Sequence, residues 1–264
     1  SDQKEFILLG DSHARAHVFL GNHLAKKEKG IFRFIRCDNV SFPPLILNKS
    51  NKALENYECG KRLLDYIVKN LNSKQVIILS ARWQTLFFED YADLSNFSKK
   101  SIHKRGVYPN KYYSNSALSS FLNDLSLLLD KSDEVDAKVV ILDSLPEFSR
   151  YRRKPVQEFG SLCSNQWFNK GIRSKKPCFF EKGFESRNFL LNRKKNFSET
   201  PLSLENKYRS LIVFDQFNIL CPQENDFCQT ESKDGKNLFL DDDHISPEAS
   251  LKIGKALYRQ LRIN

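Results

Sequence analysis

Residues 4–16 read KEFILLGDSHARA, and this stretch decides how the rest of the chain is interpreted. Its apolar run ends at Gly10, as a buried strand would, and is far shorter than the roughly 20 residues that cross a bilayer. Small and polar residues follow at once, and helical spacing continues to a C-terminal cap expected at Gly30. A buried strand that passes directly into a helix is therefore the first prediction.

This alternation continues along the chain, as apolar runs of strand length are followed by runs of helical spacing. Further strands are expected at 31–37, 75–81, 138–146 and 210–220. Helices are expected at Ala53–Leu71, Ser116–Leu129 and Pro247–Arg262. Ser246 is placed to cap the last helix. Near-continuous apolar strands between helices are typical of a parallel sheet covered on both faces. We therefore predict an α/β fold, a three-layer α/β/α sandwich around a central, mainly parallel five-stranded sheet.

The 264 residues, 1–264, are expected to form one domain, because this length suits an α/β domain with one core. The stretch around 147–207 breaks the alternation. It is rich in Lys, Arg, Asn and Phe without a clear period, and we interpret it as an irregular insertion. Methionine is absent and the sequence opens on Ser1, which indicates a processed protein or a domain excised from a longer one.

Composition and charge exclude several classes of protein. With 40% hydrophobic, 12% aromatic and 28% charged residues, the sequence is not that of a disordered, collagen-like or membrane-spanning protein. The 42 Lys+Arg against 32 Asp+Glu leave a formal charge of +10. This excess either serves solubility or holds the domain near an anionic membrane surface or an acidic glycan. Nucleic-acid binding is not expected, because the basic residues are scattered and no recognition motif accompanies them.

The six cysteines are spaced as three local pairs. No C-x-x-C occurs and no His stands at ligand spacing from a Cys, so no metal site is expected. Disulfides would place the protein in an oxidising compartment. Buried free thiols are the alternative, because spacing alone does not determine connectivity. The expected pairs are Cys37 with Cys59, Cys163 with Cys178, and Cys221 with Cys228.

The first candidate site is the turn Gly10-Asp11-Ser12-His13. Ligands of open parallel sheets bind outside the carboxyl ends of the strands, and this turn lies at such an end. A serine there presents its hydroxyl to the site, and its backbone N–H, at a helix N-terminus, can stabilise an oxyanion. Ser12 is thus a candidate nucleophile; the alternative is a serine that only caps the helix.

The second candidate is the segment Asp241-Asp242-Asp243-His244, just before the last predicted helix. A serine nucleophile needs a base, and the base needs a carboxylate on its other ring nitrogen. His244 can be the base, with Asp241 three residues earlier as its partner. A solvated acidic loop or a weak cation site is the alternative.

Together the two motifs resemble those of the SGNH (GDSL-type) hydrolase superfamily, whose fold is flavodoxin-like. More closely, GDSHA at 10–14, SARW at 80–83 and LFLDDDHISPEA at 238–249 resemble the SGNH domains fused behind the membrane acyltransferase-3 domain of bacterial carbohydrate O-acetyltransferases. The resemblance implies Ser12 as nucleophile, His244 as general acid and base, and Asp241 as the orienting carboxylate.

The sequence departs from the superfamily pattern at the oxyanion hole. The usual Gly and Asn of the second and third blocks are not evident at the ends of the second and third predicted strands. Asn39 or Arg82 is the candidate for the missing donor, although Arg82 could equally bind a carboxylate of the protein or the substrate. Trp83 either stacks on a sugar or packs in the core. His13 is expected to point away from the nucleophile along the helix.

The implied function is a carbohydrate O-acetyltransferase that acts through an acyl-serine on a surface polysaccharide such as lipopolysaccharide O-antigen. Its partners would be the carbohydrate acceptor and an acyltransferase-3 membrane domain in the same full-length chain. The acetyl donor would ultimately be acetyl-CoA, with no bound cofactor and no metal. The domain would be monomeric, at the periplasmic face of the bacterial inner membrane. A carbohydrate acetylesterase and a non-catalytic glycan-binding module on the same fold are the alternatives.

Overall fold

The computed structural model describes residues 3–37, 42–44, 51–83, 115–148, 184–240 and 244–263. Several residues singled out from the sequence lie outside these ranges. They are Asn39, Asp241, Asp242, Asp243, Cys163 and Cys178. The first part of the predicted insertion, 149–183, also lies outside them.

The centre of the fold is a parallel sheet of five strands, in the order β2-β1-β3-β4-β6. Its strands are β1 (Glu5–Gly10), β2 (Ile31–Ile35), β3 (Gln75–Ser80), β4 (Lys138–Leu142) and β6 (Leu211–Phe214). Every neighbouring pair is parallel. The carboxyl ends of all five strands therefore lie along one edge, where the predicted nucleophile follows β1. The predicted α/β fold with its mainly parallel sheet is confirmed.

The helices of the described ranges cover both faces of this sheet. They are α1 (Ser12–Ala16), α2 (Val18–Glu28), α3 (Asn51–Asn70), α4 (Asn115–Val135), α5 (Arg187–Glu205), α6 (Gln216–Leu220) and α7 (Pro247–Ile263). Among them, none combines the length and the apolar character that a membrane span requires.

Alternate residues of the strands divide between two apolar cores. On one face Leu8 packs with Leu20 of α2 and Ile253 of α7. On the other face Leu9 packs with residues of α3 and α4, among them Leu64 and Leu125. The predicted three-layer sandwich follows from this alternation, because β1, β3 and β4 are buried on both faces, whereas β2, at the edge of the sheet, is only partly buried.

Close packing joins α2 to α7. The Leu20 N–H, inside α2, donates to Ser250 Oγ of α7 over 3.0 Å. A Cβ atom at Gly254 would lie 2.9 Å from Leu20 Cα, so only glycine allows the two helices to approach this closely. The N-terminal segment and the last helix are thus held together.

The first predicted helix and two predicted strands differ in detail, and of these strands the one predicted at 138–146 ends at Leu142. The first helix is broken at His17, which ends α1 and begins α2. Lys29, instead of Gly30, adopts the left-handed conformation at its C-terminal end, with φ of 52°. The strand predicted at 210–220 stops at Phe214, because the Asp215 side chain caps α6. The sequence shows no glycine or proline that marks the break at His17.

The end of the predicted irregular insertion is regular. Residues Phe184–Ser186 form β5, which pairs antiparallel with β7 (Phe227–Gln229), and α5 follows β5 directly. The interpretation of 184–205 as irregular was therefore wrong. The sequence of this helix has weak amphipathic spacing, which explains why it was not recognised, although Leu190 packs in the core on the side of α2 and α7.

Two of the three expected disulfides are formed in the structure. Cys37 is bonded to Cys59, and Cys221 to Cys228. The first joins the end of β2 to α3, and the second closes a short loop between α6 and β7. No free cysteine occurs among the described residues, and the pair expected between Cys163 and Cys178 lies outside them.

Candidate active site

A tight turn after β1 places Ser12 at the edge of the sheet. Gly10 has φ of +143°, and a Cβ atom there would lie 1.7 Å from Ser80 O of the neighbouring strand, so the turn requires glycine. Asp11 then caps α1, because its Oδ1 accepts a hydrogen bond of 2.8 Å from the His13 N–H. Ser12 is the first residue of α1, where the backbone N–H has no partner within the helix.

Asp11 also ties this turn to the next strand. Its Oδ2 accepts from the backbone N–H of Arg82, just after β3, over 3.1 Å. One carboxylate therefore connects the ends of β1 and β3, and the nucleophile turn is held from two sides.

His244 is fixed by contacts on both sides of its position. Its carbonyl accepts from the Leu240 N–H over 2.8 Å, and Phe239 pairs with Ile245 in an isolated bridge. Ser246 Oγ accepts from the Ala249 N–H over 3.2 Å, which confirms the predicted cap of α7. The chain therefore presents the His244 ring at the start of α7.

The two predicted catalytic side chains meet. His244 Nε2 lies 2.9 Å from Ser12 Oγ, although 232 positions separate the two residues. A serine hydroxyl within hydrogen-bond reach of an imidazole is the arrangement of an activated nucleophile. Asp241, the predicted third member, lies outside the described residues, and its role stays a prediction.

The structure places His13 against His244. Their ring centroids are 4.8 Å apart at an interplanar angle of 59°, and His13 is buried. The prediction that His13 points away was therefore wrong. In a helix the Cα–Cβ bonds tilt toward the N-terminus, so a side chain in the first turn of α1 leans back toward the nucleophile.

A second histidine is buried beneath the site. His17 is fully buried, and neither of its ring nitrogens has a hydrogen-bond partner among the described residues. Burial, and to a smaller extent the nearby His13, lowers the pKa of His17 to about 3. His17 is consequently neutral at ordinary pH and contributes no charge to the site.

Arg82 is engaged by a carboxylate of the protein. Its Nη2 lies 3.0 Å from Glu147 Oε2, and its Nε donates to Glu147 Oε1 over 3.3 Å. Both side chains are largely buried, at 20% and 5% exposed. Arg82 was predicted either to donate to the oxyanion or to bind a carboxylate of the protein or the substrate. The observed contact is with a carboxylate of the protein. The ion pair joins the end of β3 to the segment after β4.

Trp83 belongs to the core, which is the second of its two predicted alternatives. It is 1% exposed, its Nε1–H donates to Leu142 O over 2.7 Å, and its ring packs edge-on against Phe121 at 6.2 Å. The side chain after β3 points under the sheet edge because this position faces the α3 and α4 side of the sheet.

An ion cluster at the same edge, in which Lys194 and Asp143 are buried and Asp215 is exposed, was missed from the sequence. Lys194 Nζ of α5 lies 2.7 Å from Asp143 Oδ2 after β4 and 3.3 Å from Asp215 Oδ1 after β6. A signal was available, because three strands end in an apolar run followed by Asp: FILLGD, VVILD and LIVFD. The described residues contain no group of three or more side chains able to hold a metal ion.

Comparisons with known proteins identify the family and the fold. A family model described as "SGNH domain (fused to AT3 domains)" matches residues 1–259. The periplasmic domain of a lipopolysaccharide acetyltransferase from Salmonella ser. Paratyphi A is similar in structure, with 14% identity and a TM-score of 0.54 over 98% of this chain and 84% of that one. A putative SGNH hydrolase from Slackia heliotrinireducens has 11% identity and a TM-score of 0.47, over 98% of this chain and all of that one. None of the curated proteins is a significant match.

At 14% identity the likeness to the Salmonella domain shows the α/β fold and nothing finer. The family model, in contrast, spans nearly the whole sequence. The chain therefore belongs to the family of SGNH domains that are fused to AT3 domains.

Proposed function

We propose that this chain is an O-acetyltransferase domain in which Ser12 carries the acetyl group. The observation that carries the proposal is the 2.9 Å contact between Ser12 Oγ and His244 Nε2. Membership of the SGNH domains fused to AT3 domains supports acyl transfer or hydrolysis as the reaction class. The likeness to a periplasmic domain of a lipopolysaccharide acetyltransferase supports transfer.

In the first half of the proposed reaction, His244 Nε2 accepts the Ser12 hydroxyl proton while Ser12 Oγ attacks the carbonyl carbon of an acetyl donor. The Ser12 N–H, at the start of α1, donates to the oxyanion. When the tetrahedral intermediate collapses, the bond to the donor group breaks and His244 returns the proton to that group. Acetyl-Ser12 remains.

In the second half, a sugar hydroxyl gives its proton to His244 and attacks the acetyl carbonyl. Collapse breaks the bond to Ser12 Oγ, and His244 protonates Ser12 again. Asp241 is proposed to accept from the His244 Nδ1–H and so to hold the tautomer that leaves Nε2 free as a base. Asn39 is proposed as the second donor of the oxyanion hole.

The proposed acceptor is a carbohydrate hydroxyl of a surface polysaccharide such as lipopolysaccharide O-antigen. The acetyl group would come ultimately from acetyl-CoA, delivered by the AT3 domain of the full-length chain at the periplasmic face of the inner membrane. The 264 residues are proposed to act as one monomeric domain without a resident cofactor or metal.

Hydrolysis of a small aryl acetate, with and without candidate oligosaccharides, tests the proposal. Ser12→Ala is expected to lower the rate by at least about 10³-fold, because it removes the hydroxyl that carries the acetyl group in the proposed reaction. Ser144→Ala is the matched control: this buried serine follows β4 at the same sheet edge, and its hydroxyl has no partner among the described residues. Acetylated sugar formed at the expense of free acetate identifies a transferase, whereas acetate alone identifies an esterase.

Labelling with a fluorophosphonate tests the nucleophile without any acetyl donor. Wild-type protein should gain one adduct, located on Ser12 by peptide mass spectrometry, and His244→Ala should be labelled far more slowly. Equal labelling of the wild type and Ser12→Ala would contradict the assignment and leave a glycan-binding module as the better interpretation.

A further inference from the structure

A stripe of basic side chains runs along the outward surface of α7. Lys252, Lys255, Arg259 and Arg262 are all exposed, at spacings of three, four and three residues, which place them on one side of the helix. Apolar residues such as Ile253 occupy the opposite side and are buried in the core. The stripe therefore points away from the sheet along most of the helix.

The neighbouring helix extends this stripe. Lys26 and Lys27 of α2 are exposed, and α2 packs directly against α7. Between them the His23 ring meets the Tyr258 ring edge-on at 6.3 Å, and the Arg262 guanidinium lies 5.8 Å from the centre of the Tyr258 ring.

The electrostatics of His23 agree with this arrangement. Burial, followed by the positive charges of Lys27, Lys255 and Lys26, lowers the pKa of His23. Cations from two helices thus act on one imidazole between them. We call the exposed group Lys26, Lys27, Lys252, Lys255, Arg259 and Arg262 the basic face.

The acidic residues of these two helices are engaged elsewhere. The sequences of α2 and α7 contain only Glu28 and Glu248. Glu28 lies 3.8 Å from Lys4, and Glu248 lies 3.2 Å from Lys236. Because both carboxylates have a lysine outside the basic face, they do not balance its charge.

We propose that the basic face binds the anionic phospholipid headgroups of a membrane surface. Its six cations are spread over two packed helices rather than gathered around a cleft, which fits a broad charged surface better than a single glycan anion. Phe19, seven residues before Lys26 on the outward side of α2, is 47% exposed and can enter the headgroup layer. Fusion of the family to AT3 membrane domains brings such a surface within reach.

Co-sedimentation with vesicles tests this proposal. The probe is vesicles of equal parts phosphatidylcholine and phosphatidylglycerol, compared with vesicles of phosphatidylcholine alone. We expect binding to the anionic vesicles only, and its loss at high salt, because screening shortens the Debye length to about 3 Å at 1 M. The double variant Lys255→Glu/Arg259→Glu should weaken partitioning by at least about tenfold, since each cation near an anionic surface contributes separately.

The matched control is Arg62→Glu/Lys69→Glu, which makes the same change of charge at two exposed positions of α3 on the other side of the sheet. Partitioning of this control should stay near that of the wild type. Equal loss in both double variants would show a response to net charge alone and would overturn the proposal. If the wild type binds soluble dextran sulfate but not anionic vesicles, the proposal is overturned in favour of an acidic glycan. If it binds neither, the basic face has no anionic partner of these kinds and the proposal is also overturned. None of these outcomes depends on acetyl transfer.

Discussion

The two helical layers of the sandwich carry opposite charge on their outward surfaces. On α2 and α7, the basic layer, the exposed charged side chains are those of the basic face together with Glu248. On α3 and α4, the acidic layer, acidic residues predominate where side chains are described. They are Glu55, Glu58, Asp65, Asp130 and Glu134, against Arg62 and Lys69. Both layers bury an apolar side against the sheet, so packing does not require this difference, and the outward residues are free to serve another purpose.

The layers differ in chemistry as well. Ser12 opens the segment that leads into α2, and His244 stands just before α7, so both described candidate catalytic residues lie at the start of the basic layer. The polar contacts of the acidic layer are structural. Lys61 and Asp124 join α3 to α4 over 2.7 Å, and Ser132 Oγ donates to Leu128 O. Changes in the basic layer should therefore alter activity, whereas changes in the acidic layer should alter stability alone.

The largest expected effect is a loss of stability in acid, caused by His17 at the start of the basic layer. Its pKa is lowered from 6.5 to about 3, so below pH 6.5 the unfolded chain binds a proton that the folded chain does not. The unfolding free energy therefore decreases as the pH is lowered. The decrease is about 2–3 kcal/mol from pH 6.5 to about pH 4.5, at 1.36 kcal/mol per pH unit. Denaturant titration at several pH values should show that the unfolding free energy of His17→Leu does not decrease in this way. His23→Gln is the comparison: the pKa of this half-buried histidine is also lowered, so its removal should relieve only a smaller part of the loss in acid. Parallel profiles for wild type and His17→Leu would contradict the prediction.

Crowding the contact between α2 and α7 should lower stability and activity together. Gly254→Val places methyl groups against the Leu20 backbone, where a Cβ alone would lie 2.9 Å away, and we expect a cost of about 1–3 kcal/mol. The kcat for aryl acetate should also fall, because displacement of α7 moves His244 away from Ser12. Leu125→Ala in α4 is the contrast. Leu125→Ala should lower the unfolding free energy at least as much, but the kcat per folded molecule should not change. A fall in kcat in this variant would contradict the prediction that only the basic layer affects activity.

His13 should act on the reaction through the orientation of His244. Loss of the 4.8 Å ring contact in His13→Ala is expected to lower kcat by about tenfold with little change in KM, since the imidazole gains rotational freedom. His13→Phe keeps a ring at this position and should recover most of the rate. Equal losses in both variants, or a change in KM alone, would argue against a positioning role.

The smallest effect is expected at the ion pair of the acidic layer. Lys61→Met removes the partner of Asp124, whose hydrogen bond is the main cause of the raised pKa of Lys61. We expect a loss of about 1 kcal/mol, because Lys61 remains 31% exposed to water. Thermal unfolding should show this shift while the kcat for aryl acetate stays the same. An altered kcat would mean that this layer also supports the site.

The sheet could be predicted from the sequence because its strands are nearly continuous apolar runs. The runs QVIIL at 75–79 and KVVIL at 138–142 are buried on both faces of the sheet. Such short, nearly continuous apolar runs are typical of strands in a parallel sheet. Ser12 and His244 were also accessible, because the parallel topology brings the end of β1 and the start of α7 to one edge. The strand predicted to 220 was too long because apolar residues continue into α6, where Asp215 and not hydrophobicity ends the strand.

Side-chain direction was much harder to predict. Trp83 and Arg82 are neighbours after β3, yet one turns into the core and the other toward Glu147, and the sequence carries no signal that decides between them. The break of the first helix at His17 has no local signal either. The break is seen only in the structure, where His17 ends α1 and is fully buried.

The long separation of Ser12 and His244 has a consequence for biosynthesis. A chain that emerges N-terminus first completes the turn around Ser12 well before the residues of α7 are available. Until α7 docks on α2, the serine hydroxyl has no base and is an ordinary alcohol. In the proposed mechanism, nucleophilic reactivity therefore requires the docked α7, and C-terminally clipped chains are expected to stay inert toward acyl donors.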